Sequence, residues 1–247
     1  MALCVSCNQM SCADEIKNKI QYHIIENLCK KINAIPLPTG YKRITNDSAS
    51  FEGWLENVAL KKDKTVYQFD GSIKYNQAAQ FAVLDISVGK KDLQQCADAV
   101  MRLRAEYLYE RKDFDKINFT DNNGKQYIFQ NPHTRKNFDS YLDRVFGMCG
   151  TASLSKQLKT QDIVNVEPGD VLIRGGFPEH AVIVMDIAIN DTGNKIFLLA
   201  QSYMPAQDIH VLNNPSNKNL SPWYEVNDET IIETPEYTFT KYELKRW

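Results

Sequence analysis

The sequence has no apolar run approaching the roughly 18 residues that a membrane-spanning helix requires, and its longest apolar stretches have strand length. It lacks charge of one sign: 29 Lys and Arg stand against 31 Asp and Glu, a net charge of −2. That balance supplies no field to draw in a polyanion, so nucleic acid is not an expected partner. Zinc-type cysteine spacing is missing too. Cys4, Cys7, Cys12, Cys29, Cys96 and Cys149 include no close pair with a matching second pair, and neither a metal nor a cofactor is expected. No internal repeat or low-complexity tract interrupts the chain. With 247 residues, 43% of them hydrophobic, it can bury the core of one large domain, with or without an appended helical piece.

What is present begins with cysteines crowded at the N-terminus. The opening MALCVSCNQM is similar to the end of a bacterial lipoprotein signal, with Cys7 as the lipidated residue and the small Ser6 before it. Cys4 stands where such signals usually carry Leu or Val, and the alternative is ordinary thiols on a frayed terminus. The lipoprotein reading implies a chain anchored at the cell envelope, outside the reducing cytosol. Residues Ser11 to Ile32 read as an amphipathic helix, with Asp14 and Glu15 in its first turn and Ile16, Ile20, Ile24 and Leu28 along one stripe. Pro36, Pro38 and Gly40 then break it, which divides a segment of residues 1–35 from a domain of residues 36–247.

Within that domain, the pattern predicts a short helix at Ser50 to Leu55 and strands at Thr65 to Phe69 and Phe81 to Val88. A long helix follows from Asp92 to about Glu110, because Asp92 followed by Gln95 has the form of a capping box. Two more helices are expected near Arg135 to Met148 and Thr151 to Lys159. The remainder reads as strands: Asp170 to Arg174, His180 to Ile189, Lys195 to Ser202, Asp208 to Leu212 and Tyr237 to Leu244. Helices first and a meander of strands after predict an α+β domain, its helices packed on one face of a mostly antiparallel sheet.

Two residues of this pattern carry chemistry. Cys96 falls in the first turn of the long helix, where unpaired N–H groups and the helix dipole favour a thiolate. The dipole contributes only about 0.3–1 kcal/mol, so a nearby imidazolium must do most of the activation, and such a thiol is expected to titrate below the ordinary cysteine range. His180 opens a strand beside Gly175 and Gly176, which leave room for a ligand. Its ring needs a third group to fix the tautomer. A hairpin turn centred on Thr192-Gly193 puts Gln201 and Tyr203 on the face of His180, whereas an odd loop from Asn190 to Asn194 puts Ser202 there. Arg104, a charge on the buried side of its helix, is a candidate for a substrate carboxylate or a snorkelling side chain. Cys149 is the rival nucleophile, placed unfavourably at a helix end. Cys96 could equally be a small hydrophobe on the stripe between Leu93 and Val100.

The runs from Phe81 to Leu108, Gly169 to His180 and Leu199 to His210 resemble an uncharacterised bacterial envelope lipoprotein family, domain of unknown function 4846. More distantly, the Gly-Asp strand, glycine loop and histidine strand are similar to NlpC-type cell-wall hydrolases of papain-like fold. That resemblance implies Cys96 as nucleophile, His180 as base and then acid, and Gln201 as orienter, acting on amide or peptide bonds such as those of peptidoglycan peptides. Gly175, Gly176, Arg104 and Tyr203 would line the substrate site. Cys96 then sits deeper in its helix than such nucleophiles usually do. The alternative is a non-catalytic binding domain on the same fold.

Overall fold

The computed structural model describes residues 29–247. The predicted helix from Ser11 and the lipidation residue Cys7 lie outside the described residues, apart from that helix's last positions. There Lys31 pairs with Ala59 and Ile32–Ala34 form one 3-10 turn. Ile32 and Ile35 are buried in the core. The Pro36 carbonyl accepts from Trp223 Nε1 at 2.8 Å.

In chain order the strands and helices are β1 (Tyr41–Arg43), α1 (Phe51–Glu56), β2 (Gln80–Val83), α2 (Cys96–Glu110), β3 (Asn118–Thr120), β4 (Gln126–Ile128), α3 (Arg135–Phe146) and α4 (Thr151–Gln157). Then come β5 (Lys159–Thr160), β6 (Val171–Arg174), β7 (His180–Asn190), β8 (Lys195–Gln201), β9 (His210–Leu212), β10 (Tyr224–Glu225), β11 (Ile231–Glu233), β12 (Thr238–Thr240) and β13 (Leu244–Arg246). The fold is α+β. A nine-stranded antiparallel sheet runs β2-β9-β8-β7-β6-β13-β5, with β1 added to β7 and β10 to β8.

Both faces of the central strands are covered, so β7 is buried over most of its length. Ala181, Ile183, Met185, Leu198 and Ala200 pack toward the helices with Ala97, Val100, Met101 and Leu103 of α2. Val182, Val184, Phe197 and Leu199 pack on the other face with Phe239 and Leu244. Local chemistry sets the helix starts: Ser50 Oγ accepts from Gly53 N at 3.2 Å and Thr134 Oγ1 from Asn137 N at 3.3 Å, caps worth about 1 kcal/mol each.

Four sequence expectations change. Residues 65–69 form isolated bridges, Tyr67 with Ile73 and Gln68 with Gln207, in place of a strand. The strand from Phe81 stops at Val83, because Leu84 and Asp85 turn to Leu60 and Ala59. The long helix starts at Cys96, not Asp92. Asp92 Oδ1 is taken by Ala206 N at 2.7 Å and Gln95 Nε2 at 3.0 Å, while Asp98 Oδ2 accepts from Gln95 N at 3.0 Å and caps the helix instead. Finally, the last predicted strand divides. Glu243 Oε2 accepts from Thr240 N at 2.6 Å, turning the chain over Lys241–Glu243 so that β12 pairs with β11 and β13 with β5 and β6.

Candidate functional site

Three adjacent strands present polar side chains at one end of the sheet. His180 begins β7, Gln201 ends β8 and His210 begins β9, opposite Gln201. Whether His180 and Gln201 share a face depends on the β7–β8 hairpin. Its loop is odd, with Asn190 N bonded to Asn194 O and Ile189 opposite Lys195. Followed straight down the strands, that register would set Gln201 on the wrong side. A β-bulge between Val184 and Asp186 shifts it by one, so Ile183 faces Ala200 and Gln201 returns to the face of His180. Asp186, fully buried, stands at the bulge, with Oδ1 accepting from Ile187 N at 2.8 Å and Oδ2 from Arg43 Nε at 2.7 Å. The sequence reading tied Gln201 to an even turn; it reaches the same place through an odd loop and a bulge.

The contact is direct: His180 Nε2 lies 2.8 Å from Gln201 Oε1. Tyr203, Tyr237 and Phe239 surround the ring, with centroids 4.7, 5.0 and 5.8 Å away. Burial among them pushes the His180 pKa down to about 4, against the opposing influence of Gln201 and Glu236. The imidazole is neutral near neutral pH.

Cys96 arrives from the helix side as the first residue of α2, with part of its surface exposed. Its sulfur is 3.5 Å from Thr151 Oγ1, the first residue of α4, and accepts from the amides of Ala97 and Ala181. Ala181 is the residue after His180, so the sulfur lies beside the backbone from which the imidazole springs. Burial raises the thiol pKa, and the carboxylate of Asp98 adds to it, outweighing the lowering by Thr151 and the two amides. This corrects the expected acid-shifted thiol: the His180 ring is neutral, so the imidazolium that was to activate Cys96 is absent at rest. The expectation of a deeply placed cysteine is corrected too, since Cys96 holds the first helical position.

The other predicted residues separate. The Gly175 backbone approaches α4, where an added Cβ would lie 2.7 Å from Ser155 Cβ. Gly176 faces open space. Tyr203 touches His180, and next to it Met204 is exposed, as is Phe177 after the glycine pair. Arg104 is not brought to the thiol. Eight residues along α2, its guanidinium is held over Phe51, Tyr107 and Trp247 at 4.8, 5.5 and 5.6 Å, an aromatic clamp that serves packing. Cys149 is buried, and desolvation, with help from Asp121 and Asp98, pushes its pKa up to about 11. The hydroxyl of Ser202, the odd-loop alternative, instead lies 2.9 and 2.8 Å from the Gln94 and Gln207 carbonyl oxygens, which share its one proton.

Sequence reasoning missed Thr151, Tyr237 and Glu236. Glu236 Oε2 accepts from Gln201 Nε2 at 2.8 Å, yet it lies 35 positions away in a segment with no motif. Among the described residues no cluster of three or more His, Cys, Asp or Glu could hold a metal ion. No described helix is long and apolar enough to cross a membrane. A cavity of about 520 Å³ lined by Trp54, Asp85, Arg102, Glu106 and Arg135 contains none of these site residues.

The family described as Domain of unknown function (4846) matches residues 32–131 and 128–246, nearly all of the described chain. The chain belongs to this family. The Domain of unknown function (4846) match takes in Cys96, His180, Gln201 and Glu236 alike, so the whole site lies within the family's own extent. Comparison with curated proteins and with solved structures finds no match.

Proposed function

We propose that the protein is a thiol hydrolase of amide or peptide bonds, built on a papain-like core, with Cys96 as nucleophile, His180 as general base and acid, and Gln201 as orienter. The observation that carries the reading is the 2.8 Å bond from His180 Nε2 to Gln201 Oε1, with the sulfur at the start of a helix accepting from the amide of the next residue, Ala181. That bond occupies one ring nitrogen and leaves Nδ1 for the thiol proton. Catalysis starts from a neutral pair. The Cys96 thiol turns from Thr151 to His180, and Nδ1 takes its proton as sulfur attacks the carbonyl carbon. N–H groups in the opening turn of α2, the Ala97 amide among them once the sulfur moves away, stabilise the oxyanion. The imidazolium then returns the proton to the leaving amine, giving a thioester that a water molecule hydrolyses with His180 again as base. Phe177, Met204 and Tyr203 form the rim that meets the substrate. The resemblance to NlpC-type hydrolases supports peptide bonds of cell-wall material as substrate, and the N-terminal signal pattern supports a lipid-anchored envelope location.

The neutral state of the pair and the Cys96–Thr151 contact favour a second reading, a binding domain without catalysis. Digestion of purified peptidoglycan peptides separates the two. Wild type is expected to release amines, Cys96→Ala to release none, and His180→Ala to be slower by about 10²–10⁴-fold. Iodoacetamide should label Cys96 at rates that climb into the alkaline range and stay well above those of Cys149. No cleavage, together with Cys96 as unreactive as Cys149, would leave the binding domain as the answer.

A further inference from the structure

We propose that Glu236 is a positioning residue that fixes the protonation pattern of the site: it turns the Gln201 amide so that His180 carries its proton on Nε2 and presents Nδ1 as the basic nitrogen. The inference rests on the function proposed above and names what holds its base in register.

The proton positions follow from which atoms can only accept. The Lys74 ammonium, 5% exposed, sits 2.7 Å from Glu236 Oε1, and Asn76 Nδ2 donates to the same oxygen at 3.2 Å, so Glu236 is an ionised acceptor. Its other oxygen, Oε2, lies 2.8 Å from Gln201 Nε2, which must therefore be the amide nitrogen. A second acceptor agrees. His210 Nδ1 lies 2.9 Å from the Asp208 carbonyl oxygen and must donate to it, which leaves His210 Nε2 as an acceptor 3.4 Å from the same Gln201 nitrogen. Both amide hydrogens are thus committed, and Gln201 Oε1 faces His180 Nε2 at 2.8 Å. A carbonyl oxygen only accepts, so the ring proton is on Nε2 and Nδ1 holds the lone pair. A flipped amide would set its oxygen against the Glu236 carboxylate.

The arrangement also has a place in turnover. When His180 takes the thiol proton, the positive charge that forms is met by Glu236 through the amide, and Glu236 already opposes the effect of burial on the ring. The groups facing His180 are Tyr203, Tyr237, Phe239 and Gln201, with the Cys96 sulfur near the two tyrosines; those facing Glu236 are Lys74, Asn76 and Gln201, with His210 next in line.

The test uses the full 247-residue chain, with long-range ¹H–¹⁵N spectra of the imidazoles assigned through His180→Gln. Wild type is expected to show the Nε2–H form of His180. In Glu236→Gln the ammonium of Lys74 captures the new amide oxygen and turns its NH₂ toward Gln201, so His180 should shift to a mixture of tautomers. Iodoacetamide labelling of Cys96 near pH 7 should then fall about tenfold, the scale of one hydrogen bond to a charged group. The double variant Lys74→Met/Glu236→Gln removes the ammonium, frees that oxygen to accept from Gln201, and should restore both readouts. An Nδ1–H ring in wild type, or an unchanged ring and labelling rate in Glu236→Gln, would overturn the proposal. Inert Cys96 in wild type would instead count against the hydrolase reading, while the spectra still decide the tautomer.

Discussion

At Gly175 the loop before His180 comes closest to a helix, and the absence of a side chain decides how near. An alanine Cβ there would meet Ser155 Cβ at 2.7 Å, and Ser155 is itself held by Lys245 Nζ through both its carbonyl and its hydroxyl. Gly175→Ala should therefore cost about 1–3 kcal/mol, read as a lower urea midpoint with an unchanged slope. Gly176→Ala, facing open space, should cost far less. The sequence pointed to the glycine pair and to His180, but not to which glycine is constrained, since Ser155 belongs to another element. Arg104 teaches the same lesson. Its position on the buried side of a helix was legible, whereas its aromatic partners come from residues 51, 107 and 247, and only folding assembles them.

Among the elements, β7 and β8 carry the clearest division between legible and illegible. Their existence followed from apolar runs of strand length, and their antiparallel pairing from the Asn190 to Asn194 turn residues. The bulge between Val184 and Asp186 did not. Asp186 read as one more residue in an alternating strand, yet its carboxylate takes Arg43 and the Ile187 amide and stabilises the step in register that brings Gln201 to His180. Asp186→Ala removes the fully buried partner of Arg43 and should cost about 3 kcal/mol in urea unfolding. If the bulge relaxes, the His180 Nε2–H signal should weaken along with stability. A variant that lost stability but kept that signal would show that the register is held elsewhere. The start of α2 is a similar case: two residues could cap it, and Asp98 does so because Asp92 is engaged by the loop at Ala206.

Over the whole molecule, the buried histidines make stability depend on pH. Burial depresses both His180 and His210 to about 4, with His210 bonded to the Asp208 carbonyl and lowered further by Lys74. Unfolded, each would titrate near 6.5. The unfolded chain then binds more protons below that value, so their contribution is fully present above about pH 6.5 and is lost as pH falls toward 4, by about 3 kcal/mol per histidine at the limit. Urea midpoints of wild type should fall across that window, and His210→Gln should fall less; equal slopes would refute the linkage. The sequence by itself determined the α+β class, the mostly antiparallel strands, most element positions and the candidates Cys96 and His180, because periodicity, turn residues and helix-start chemistry act over a few neighbouring positions; it left Gln201, Tyr203 and Ser202 open as the orienter, and the resemblance alone singled out Gln201. Only the tertiary structure decided the bulged register, the neutral resting state of thiol and imidazole, the aromatic clamp on Arg104 and the entry of Glu236. Burial and hydrogen-bond partners are set by residues far apart in the chain, and no local pattern encodes them.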